Sequence, residues 1–400
     1  MNYSKKLLQE NDIYTPCFVI NENVITELSD SIESALKKRW KNGIIGYSFK
    51  TNNFPWLIKF FKEKGYCAEV VSSDEYDLAL ELGYDYEHII FNGPVKNAKC
   101  FEKAIINGSI VNIDSKIELT TLAEIYSRAK VKPRVGLRVN FCLENYCPGE
   151  SQCGKDDGRF GFSYENGELS SAIAFLKNNG IELSGLHLHC SSKTRSVKIY
   201  KTIAVVAKEI IEKHNLKLSY LDIGGGYFGG LPNKPTFDDY FSAVYDVLKK
   251  YEQINLVIEP GMAVIGAGID YITTVVDVKK TLNNTFAVLD GSRIHIDPIK
   301  RKSSYSYEVI ENSKNEEADK ENVILCGFTC MEDDRFFSIE KSKIDVGDNV
   351  IFHKVGAYTM GLSPQFIEFY PAVYKKSNDK IELIRKKATA KDFILLNEGV

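Results

Sequence analysis

The sequence predicts an α/β protein that combines a (β/α)8 barrel with a second, mainly β domain. Between about residues 25 and 260, eight short apolar runs alternate with stretches of helical periodicity, and this alternation is typical of a parallel barrel. After about residue 265, short β-rich runs follow one another with turn signals between them, which predicts a mainly β domain. The length of 400 residues allows both, because a barrel occupies about 250 residues.

The predicted barrel strands are short and mostly apolar. The first, residues 43–48, has a β-branched pair and an aromatic residue before a polar break. Residues 197–214 show the 3.6-residue period of an amphipathic helix. The other strands are predicted at 68–71, 88–91, 109–113, 134–140, 185–189, 220–223 and 256–259. Because a barrel keeps its active site at the carboxyl ends of its strands, the residues that follow these runs are the candidates for chemistry.

The predicted β domain has a similar density of short strands. One polar and charged segment, residues 303–322, interrupts them and is predicted to be a long exposed loop. The strands are expected at 271–278, 286–290, 323–327, 349–354 and 381–385.

The composition excludes several classes of protein. Lys and Arg number 51 against 54 Asp and Glu, so the formal net charge of −3 gives no electrostatic reason to bind nucleic acid or an anionic membrane. No apolar run approaches the roughly 18 residues of a membrane span. Residues 1–12 contain no apolar signal segment, so we expect a cytoplasmic protein.

The nine cysteines do not predict a metal site. They form no CxxC pair, and their odd number does not suggest a disulfide framework. Cys142, Cys147 and Cys153 lie close together, but their spacing matches no common zinc site, so we predict loop thiols and no metal.

The residues at the strand ends offer two interpretations each. Lys50 follows the first strand, where it is either a solvated cap or an amine suited to forming a Schiff base. The glycines 224–226 are either a tight turn or a set of backbone N–H groups that bind phosphate. Glu259 ends the last strand with a carboxylate. His187 and His189 share one face of their strand, and such histidines are usually packed in the core.

Together these segments resemble the fold type III pyridoxal-phosphate decarboxylases, the family of ornithine and diaminopimelate decarboxylases. The resemblance extends over nearly the whole chain. Any single motif is weak, but eight in the family's order make chance agreement improbable. The motifs are 15–19 (TPCFV), 47–52 (YSFKTN), 69–72 (EVVS), 185–192 (GLHLHCSS), 221–226 (LDIGGG), 259–261 (EPG), 327–330 (GFTC) and 356–358 (GAY).

The resemblance implies a domain organisation and an assembly. Residues 22–264 would form the pyridoxal-phosphate-binding TIM barrel, and residues 265–400 would form the β domain, completed by the N-terminal residues 1–21. The family acts on small amino-acid substrates as a homodimer with shared active sites, so we expect both here.

The resemblance also implies roles for individual residues. Lys50 would hold the cofactor and later help in proton transfer, His189 would stack on its pyridine ring, and Glu259 would pair with the pyridine nitrogen. Cys330 would come from the partner subunit and deliver a proton. The full cofactor-binding set that we expect is Lys50, Glu69, His189, Ser192, Gly224, Gly225, Gly226, Glu259, Gly261 and Tyr358.

Three positions depart from the family, and all concern the substrate. Met262 replaces an arginine that commonly follows the EPG motif, and a rough alignment puts Asp297 where diaminopimelate decarboxylases have another arginine. Losing both guanidinium groups argues against meso-diaminopimelate. Met331 replaces an acidic residue that meets the distal amine, unless Glu332 has shifted into its place, while Asp334 keeps its position.

We therefore expect an unusual substrate, such as a conjugated amino acid from siderophore or other secondary-metabolite synthesis. The candidate substrate residues are Asp297, Met331, Glu332 and Asp334. Three alternatives stay open: a standard ornithine, lysine or diaminopimelate decarboxylase, an amino-acid racemase of the same fold, and a catalytically silent homologue. A racemase of this fold has an arginine in place of Glu259, and a silent homologue tends to lose its cofactor residues.

Overall fold

The computed structural model describes residues 3, 8, 10, 11, 13–154, 156, 158–302, 304–312, 321–378 and 380–398. The chain divides into two compact units. The barrel unit is Leu28–Ala263, and the sheet unit combines Met1–Glu27 with Val264–Val400.

The elements are named here in chain order. The strands are β1 (Cys17–Asn21), β2 (Gly43–Ser48), β3 (Cys67–Val70), β4 (Ile89–Phe91), β5 (Ile110–Ile113), β6 (Arg134–Asn140), β7 (Phe162–Ser163), β8 (Gly185–His187), β9 (Tyr220–Asp222), β10 (Asn255–Ile258), β11 (Ile269–Lys280), β12 (Thr285–Leu289), β13 (Ser306–Ile310), β14 (Glu321–Cys326), β15 (Arg335–Ser342), β16 (Asn349–His353), β17 (Ala372–Ser377) and β18 (Lys380–Arg385). The helices are α1 (Glu22–Arg39), α2 (Pro55–Glu63), α3 (Ser73–Glu81), α4 (Ala98–Ile106), α5 (Lys116–Ala129), α6 (Glu168–Asn178), α7 (Val197–His214), α8 (Phe237–Leu248), α9 (Met262–Ile265), α10 (Arg293–Ile296) and α11 (Ala390–Asn397).

The barrel unit is a closed parallel barrel. Its strands pair in the order β2-β3-β4-β5-β6-β8-β9-β10, and β10 pairs again with β2. The short β7 is added beside β6. The predicted (β/α)8 barrel with a separate mainly β domain is confirmed, and the helix predicted at 197–214 is α7.

The barrel interior is packed with side chains of both apolar and polar type. Cys67, Ile90, Ile110 and Val257 form a buried cluster with Tyr220. Gly185 makes room for Tyr220, because a Cβ there would lie 2.3 Å from the tyrosine ring. The barrel therefore holds a large side chain whose hydroxyl group reaches the polar layer at the mouth.

The sheet unit contains nine strands. The main path is β15-β14-β12-β11-β1-β17-β18, and β16 joins β11 to β13. The N-terminal strand β1 lies between β11 and β17, antiparallel to the first and parallel to the second. The core of this sheet includes Cys17, Val19, Ile272, Ile351 and Tyr374.

The exposed loop predicted at 303–322 is wrong in part. Residues 306–310 form β13, which pairs antiparallel with β16, and residues 321–326 form β14. The polar composition of β13 fits a strand that the structure pairs on one side only, with Ser306 and Tyr307 exposed and Ile310 buried. Residues 303 and 313–320 lie outside the described residues. No described helix is long and apolar enough to cross a membrane.

Candidate active site

The mouth of the barrel brings a lysine and a buried carboxylate together. Lys50 lies in the 3-10 turn Phe49–Thr51, directly after β2, and Glu69 lies near the end of the neighbouring β3. The Lys50 Nζ donates to Glu69 Oε2 at 2.8 Å. The Glu69 side chain is 1% exposed and the Lys50 side chain 40% exposed. The amine is thus anchored from below while it stays accessible from the mouth.

Amide side chains link this pair to a second carboxylate. Asn92 Nδ2 donates to Glu69 Oε1 at 2.9 Å and to Glu259 Oε1 at 2.5 Å. Asn112 Nδ2 donates to the side-chain oxygen Oδ1 of Asn92 at 2.8 Å, and the Tyr220 hydroxyl group donates to Asn112 Oδ1 at 2.8 Å. Sequence reasoning missed both asparagines, although each is a polar residue at the end of a short apolar strand.

Glu259 is the second buried carboxylate of this network and is 4% exposed. It forms a tight group with His187 and Asp222, whose nearest oxygen and nitrogen atoms lie within 4.8 Å of one another. Burial alone would raise the pKa of Glu259, but His187, Lys50 and Asp222 lower it well below its usual value. Burial and the Glu259 charge raise the pKa of Asp222, so Asp222 is the protonated member of the pair.

We call Lys50, Glu69, Asn92, His187, Asp222 and Glu259 the barrel cluster. Burial and the nearby Arg138 lower the pKa of His187, so this ring is neutral at pH 7. Its Nε2 lies 3.7 Å from Glu259 Oε2 and, among the described residues, has no hydrogen-bond partner. The cluster therefore keeps the Glu259 carboxylate ionised beside the neutral imidazole of His187 and the protonated Asp222.

His189 and Arg138 form the next layer toward the mouth. Arg138 Nη2 donates to the His189 carbonyl oxygen at 2.7 Å, which fixes the backbone that carries the imidazole. Burial, and then the Arg138 charge, lower the pKa of His189 to about 3. The ring is neutral at physiological pH and presents an uncharged face. Arg138 is a third residue that sequence reasoning missed.

The glycine run after β9 is required by its surroundings. At Gly224, with φ of +71°, a Cβ would lie 2.4 Å from the His189 Cβ. At Gly225, a Cβ would lie 2.1 Å from the Glu259 carbonyl oxygen. At Gly226, with φ of +100°, a Cβ would lie 3.2 Å from the Ser192 Oγ. The run therefore passes close to the Ser192 hydroxyl group, and backbone N–H groups in such a run can donate to a phosphate.

Gly261 has an equally close neighbour. A Cβ there would lie 2.1 Å from Thr51 Oγ1, in the turn that carries Lys50. The absence of a side chain at 261 therefore lets the segment after β10 approach the lysine turn.

The remaining predicted site residues lie in the sheet unit. Cys330 is exposed and lies in the segment 327–334, which we call the thiol loop. Asp334 organises this loop from its 2% exposed position, accepting hydrogen bonds from Thr329 Oγ1 at 2.7 Å and Ser292 Oγ at 2.9 Å. Gly327 packs against it, since a Cβ there would lie 2.2 Å from Asp334 Oδ2.

The other substrate candidates have different surroundings. The Glu332 side chain is 98% exposed and accepts from Arg335 at 3.3 Å. Met331 is half-buried. Tyr358 is 39% exposed and has a left-handed φ of +56°. Asp297 is buried and accepts from Arg293, from Tyr305 and from two backbone N–H groups, so it orders its own segment, and its substrate contact stays a prediction.

The nine cysteines are all free thiols. Cys147 is buried beside Thr202, Cys142 is half-buried and Cys153 is exposed. Among the described residues, the one group with metal-ligand geometry is His187, Asp222 and Glu259, and no cysteine belongs to it.

The barrel residues fit pyridoxal phosphate. A reachable amine, a flat neutral imidazole, an ionised carboxylate and a glycine-lined cradle beside a serine hydroxyl meet the aldehyde, ring, nitrogen and phosphate of that cofactor. The fold and these side chains together define a barrel enzyme that uses pyridoxal phosphate.

Two family models match the chain. "Pyridoxal-dependent decarboxylase, pyridoxal binding domain" matches residues 26–266, and "Pyridoxal-dependent decarboxylase, C-terminal sheet domain" matches residues 205–356. The first covers more than half of the chain, so the chain belongs to the pyridoxal-dependent decarboxylases. The predictions of a carboxy-lyase and of pyridoxal phosphate as its cofactor are confirmed.

Individual relatives are similar over most of their length. Diaminopimelate decarboxylase of Helicobacter pylori is 26% identical in an alignment of 397 residues that covers 96% of this chain and 96% of its own. The probable chloroplastic diaminopimelate decarboxylase of Oryza sativa subsp. japonica is 28% identical and covers 88% of this chain and 73% of its own.

Solved structures have the same fold. Diaminopimelate decarboxylase of M. jannaschii superposes with a TM-score of 0.85 at 21% identity, covering 99% of this chain and 94% of its own. The Paramecium bursaria Chlorella virus arginine decarboxylase gives a TM-score of 0.76 at 21% identity, covering 93% and 98%.

Proposed function

We propose that this protein decarboxylates an amino acid or amino-acid conjugate of the diamino-acid type, and that free meso-diaminopimelate is not its preferred substrate. The observation that carries the proposal is the buried, ionised Glu259 in the barrel cluster. When bound, pyridoxal phosphate supplies an electron sink for the pair of electrons left behind by CO2. An ionised Glu259 keeps a proton on the pyridine nitrogen and so favours this use of the ring.

The other barrel residues bind and orient. Lys50 would hold the cofactor through its amine, and Glu69, 2.8 Å from that amine, keeps it in place. His189 would cover one face of the ring as a neutral imidazole. Gly225, Gly226 and Ser192 would donate hydrogen bonds to the phosphate, and we propose Tyr358 as a further phosphate donor. Gly224 would shape this loop, because its own N–H group donates to Asp222 Oδ1 at 2.8 Å.

Cys330 would return a proton to the carbon that lost CO2. We propose that it does so in the active site of the partner subunit of a homodimer, since the family resemblance implies shared sites. Mixing Lys50→Ala chains with Cys330→Ala chains tests this assembly. If each site takes Lys50 from one chain and Cys330 from the other, mixed dimers should recover about a quarter to a half of the wild-type activity. No recovery after verified subunit exchange would contradict the shared site.

The choice of substrate rests on Met262, Asp297 and Met331. Neither methionine can hold a carboxylate or an amine, and the Asp297 carboxylate accepts hydrogen bonds from its own segment. These features support a conjugated amino acid, of the kind made in siderophore or other secondary-metabolite synthesis. The similar proteins are named diaminopimelate decarboxylases, so that substrate must be tested directly. Racemisation is not favoured, because Glu259 is a carboxylate and the similar proteins are decarboxylases by name.

The first experiment is mass spectrometry of reaction mixtures containing the protein reconstituted with pyridoxal phosphate. The candidate substrates are ornithine, lysine, arginine, meso-diaminopimelate and several conjugated diamino acids, and the signal is loss of CO2. We expect turnover of conjugates, and none by a Lys50→Ala variant. Efficient turnover of meso-diaminopimelate would overturn the substrate proposal, and unchanged CO2 release by Lys50→Ala would overturn the proposed role of Lys50.

A further inference from the structure

The barrel unit has a cavity beside the cofactor residues that the proposed chemistry does not use. Its volume is about 260 Å³, and it lies under the segment that connects β6 to β7. His189 and Arg138 contribute to its wall, so the cavity adjoins the position of the cofactor ring. Whole-ligand pockets are usually about 300–1,000 Å³, so this loop cavity suits one arm of a larger substrate.

Two guanidinium groups line the loop cavity and pack on the same ring. The Arg159 Cζ lies 4.2 Å from the centroid of the Phe160 ring, and the Arg138 Cζ lies 5.6 Å from it. Among the described residues, neither arginine forms an ion pair with a carboxylate. The Arg138 Nε is buried and has no hydrogen-bond partner there either. Two like charges in one cavity attract an anion that can neutralise them.

The backbone holds these groups in place. Gly161, with φ of +77°, lies so close to Arg138 that a Cβ would be 2.4 Å from its carbonyl oxygen. At the end of β6, the Asn140 side chain donates a hydrogen bond to the Gly158 carbonyl oxygen. The two contacts tie both sides of Arg159 and Phe160 to the end of β6, next to the site.

Among the described residues, the acidic side chains that line the loop cavity form no ion pair with Arg138 or Arg159. Glu144 uses its two oxygens to accept backbone N–H groups of its own segment, from Gly149 at 2.7 Å and from Ser151 at 3.0 Å. Asp156 is exposed and forms no ion pair with either arginine.

We infer that the loop cavity binds a carboxylate on the distal arm of the substrate, with Arg159 as its main contact and Arg138 behind it. The inference rests on the proposed function and names the chemistry of the conjugate. It also explains why Met262 can replace the family's arginine, since a carboxylate bound at Arg159 does not need an arginine at 262. A guanidinium is well suited to this because it can donate two parallel hydrogen bonds to one carboxylate.

Binding to the holoenzyme tests the inference without turnover. Isothermal titration calorimetry compares adipate with hexanoate, which has the same length and one carboxylate fewer. We expect adipate to bind at least about tenfold more tightly, as one charge-assisted contact allows. Arg159→Gln should abolish that difference and Arg159→Lys should keep part of it. Arg128→Gln, on the exposed surface of α5, should leave it unchanged.

Kinetics with a matched substrate pair separates this inference from the proposed function. Nε-carboxymethyl-lysine and lysine differ by one carboxylate arm, and Arg159→Gln should raise KM for the first at least about tenfold while leaving lysine unaffected. If wild-type protein releases CO2 from neither these nor any other amino acid, the proposed function fails, while calorimetry still reports on the cavity. Equal adipate and hexanoate affinities, or an unchanged KM in Arg159→Gln, would overturn the inference.

Discussion

The barrel cluster buries its acidic groups in a connected hydrogen-bond network, whereas the thiol loop leaves its cysteine exposed. Glu69 and Glu259 share the Asn92 amide and are almost inaccessible to water. Cys330 and Glu332 are exposed, while Asp334 anchors their loop from a buried position. The two regions therefore differ in how their polar groups are held. In the barrel, the charged groups are positioned by the protein itself, whereas in the thiol loop the exposed groups are surrounded mainly by solvent.

The largest effect should come from the charge that the barrel cluster fixes. Glu259→Gln keeps the shape but removes the carboxylate that would hold the proton on the pyridine nitrogen. We expect kcat/KM to fall by about 10²–10³-fold, as for the loss of one preorganised electrostatic contact. Steady-state CO2 release measures this, and Glu252→Gln on the barrel unit's exposed surface serves as the control. Activity within tenfold of the wild type would remove Glu259 from the mechanism.

The thiol loop should show a smaller but distinct loss. Cys330→Ala removes the proposed proton donor, and we expect kcat to fall by about 10²-fold with little change in KM, because proton transfer contributes at least that much. The matched control is Cys326→Ala, four residues earlier, whose half-buried thiol faces the Ile324 carbonyl oxygen at 3.8 Å. If both variants lose activity equally, the effect is structural and Cys330 is not the donor.

The variant Asp334→Asn tests how strongly this buried carboxylate holds the thiol loop in place. Asp334→Asn leaves the size unchanged but weakens hydrogen bonds from Thr329, Ser292 and the Arg293 backbone. We expect the free energy of unfolding in urea to fall by about 1.5–3 kcal/mol, the usual contribution of a hydrogen bond to a charged group. The neighbouring Asp333→Asn should change it much less, because that side chain is 67% exposed. Equal effects would mean that burial of Asp334 does not anchor the loop.

The two regions also differ in what the sequence could predict. The strands β2 and β6 and the helix α7 were predicted to the residue, because each combines a clear period with a sharp polar end. In the sheet unit, β13, β15 and β17 were missed. Their charged residues, such as Lys375 and Lys376 in β17, hide the alternation on which strand prediction depends.

The same limit applies to the candidate site. Motifs identified the residues that we propose to hold the cofactor, such as Lys50 and Glu259, because those residue types are set by chemistry. Asn92 and Arg138 were missed, because their importance lies in contacts between strands that only the closed barrel brings together. A neutral Asp222 could not be predicted either, since its protonation depends on burial beside Glu259.

The effect of that neutral carboxyl group should appear only as a pH dependence. The pKa of Asp222 is raised in the folded protein, mainly by burial and then by Glu259. An unfolded Asp ionises near pH 4, so above that pH the folded protein must keep a proton that the unfolded chain has released. Stability therefore falls as pH rises toward the folded pKa, by about 1.4 kcal/mol per pH unit. Asp222→Asn has no such proton to keep.

Thermal unfolding between pH 4 and pH 8 measures this difference. The Tm of Asp222→Asn relative to wild type should rise steadily with pH, and the exposed Asp77→Asn should show no such trend. A Tm difference that is constant across the range would mean that Asp222 is ionised in the folded protein. Glu259 would then have a second negative charge beside it at Asp222, and this pair could not supply the fixed single charge on which the contrast between the barrel cluster and the thiol loop depends.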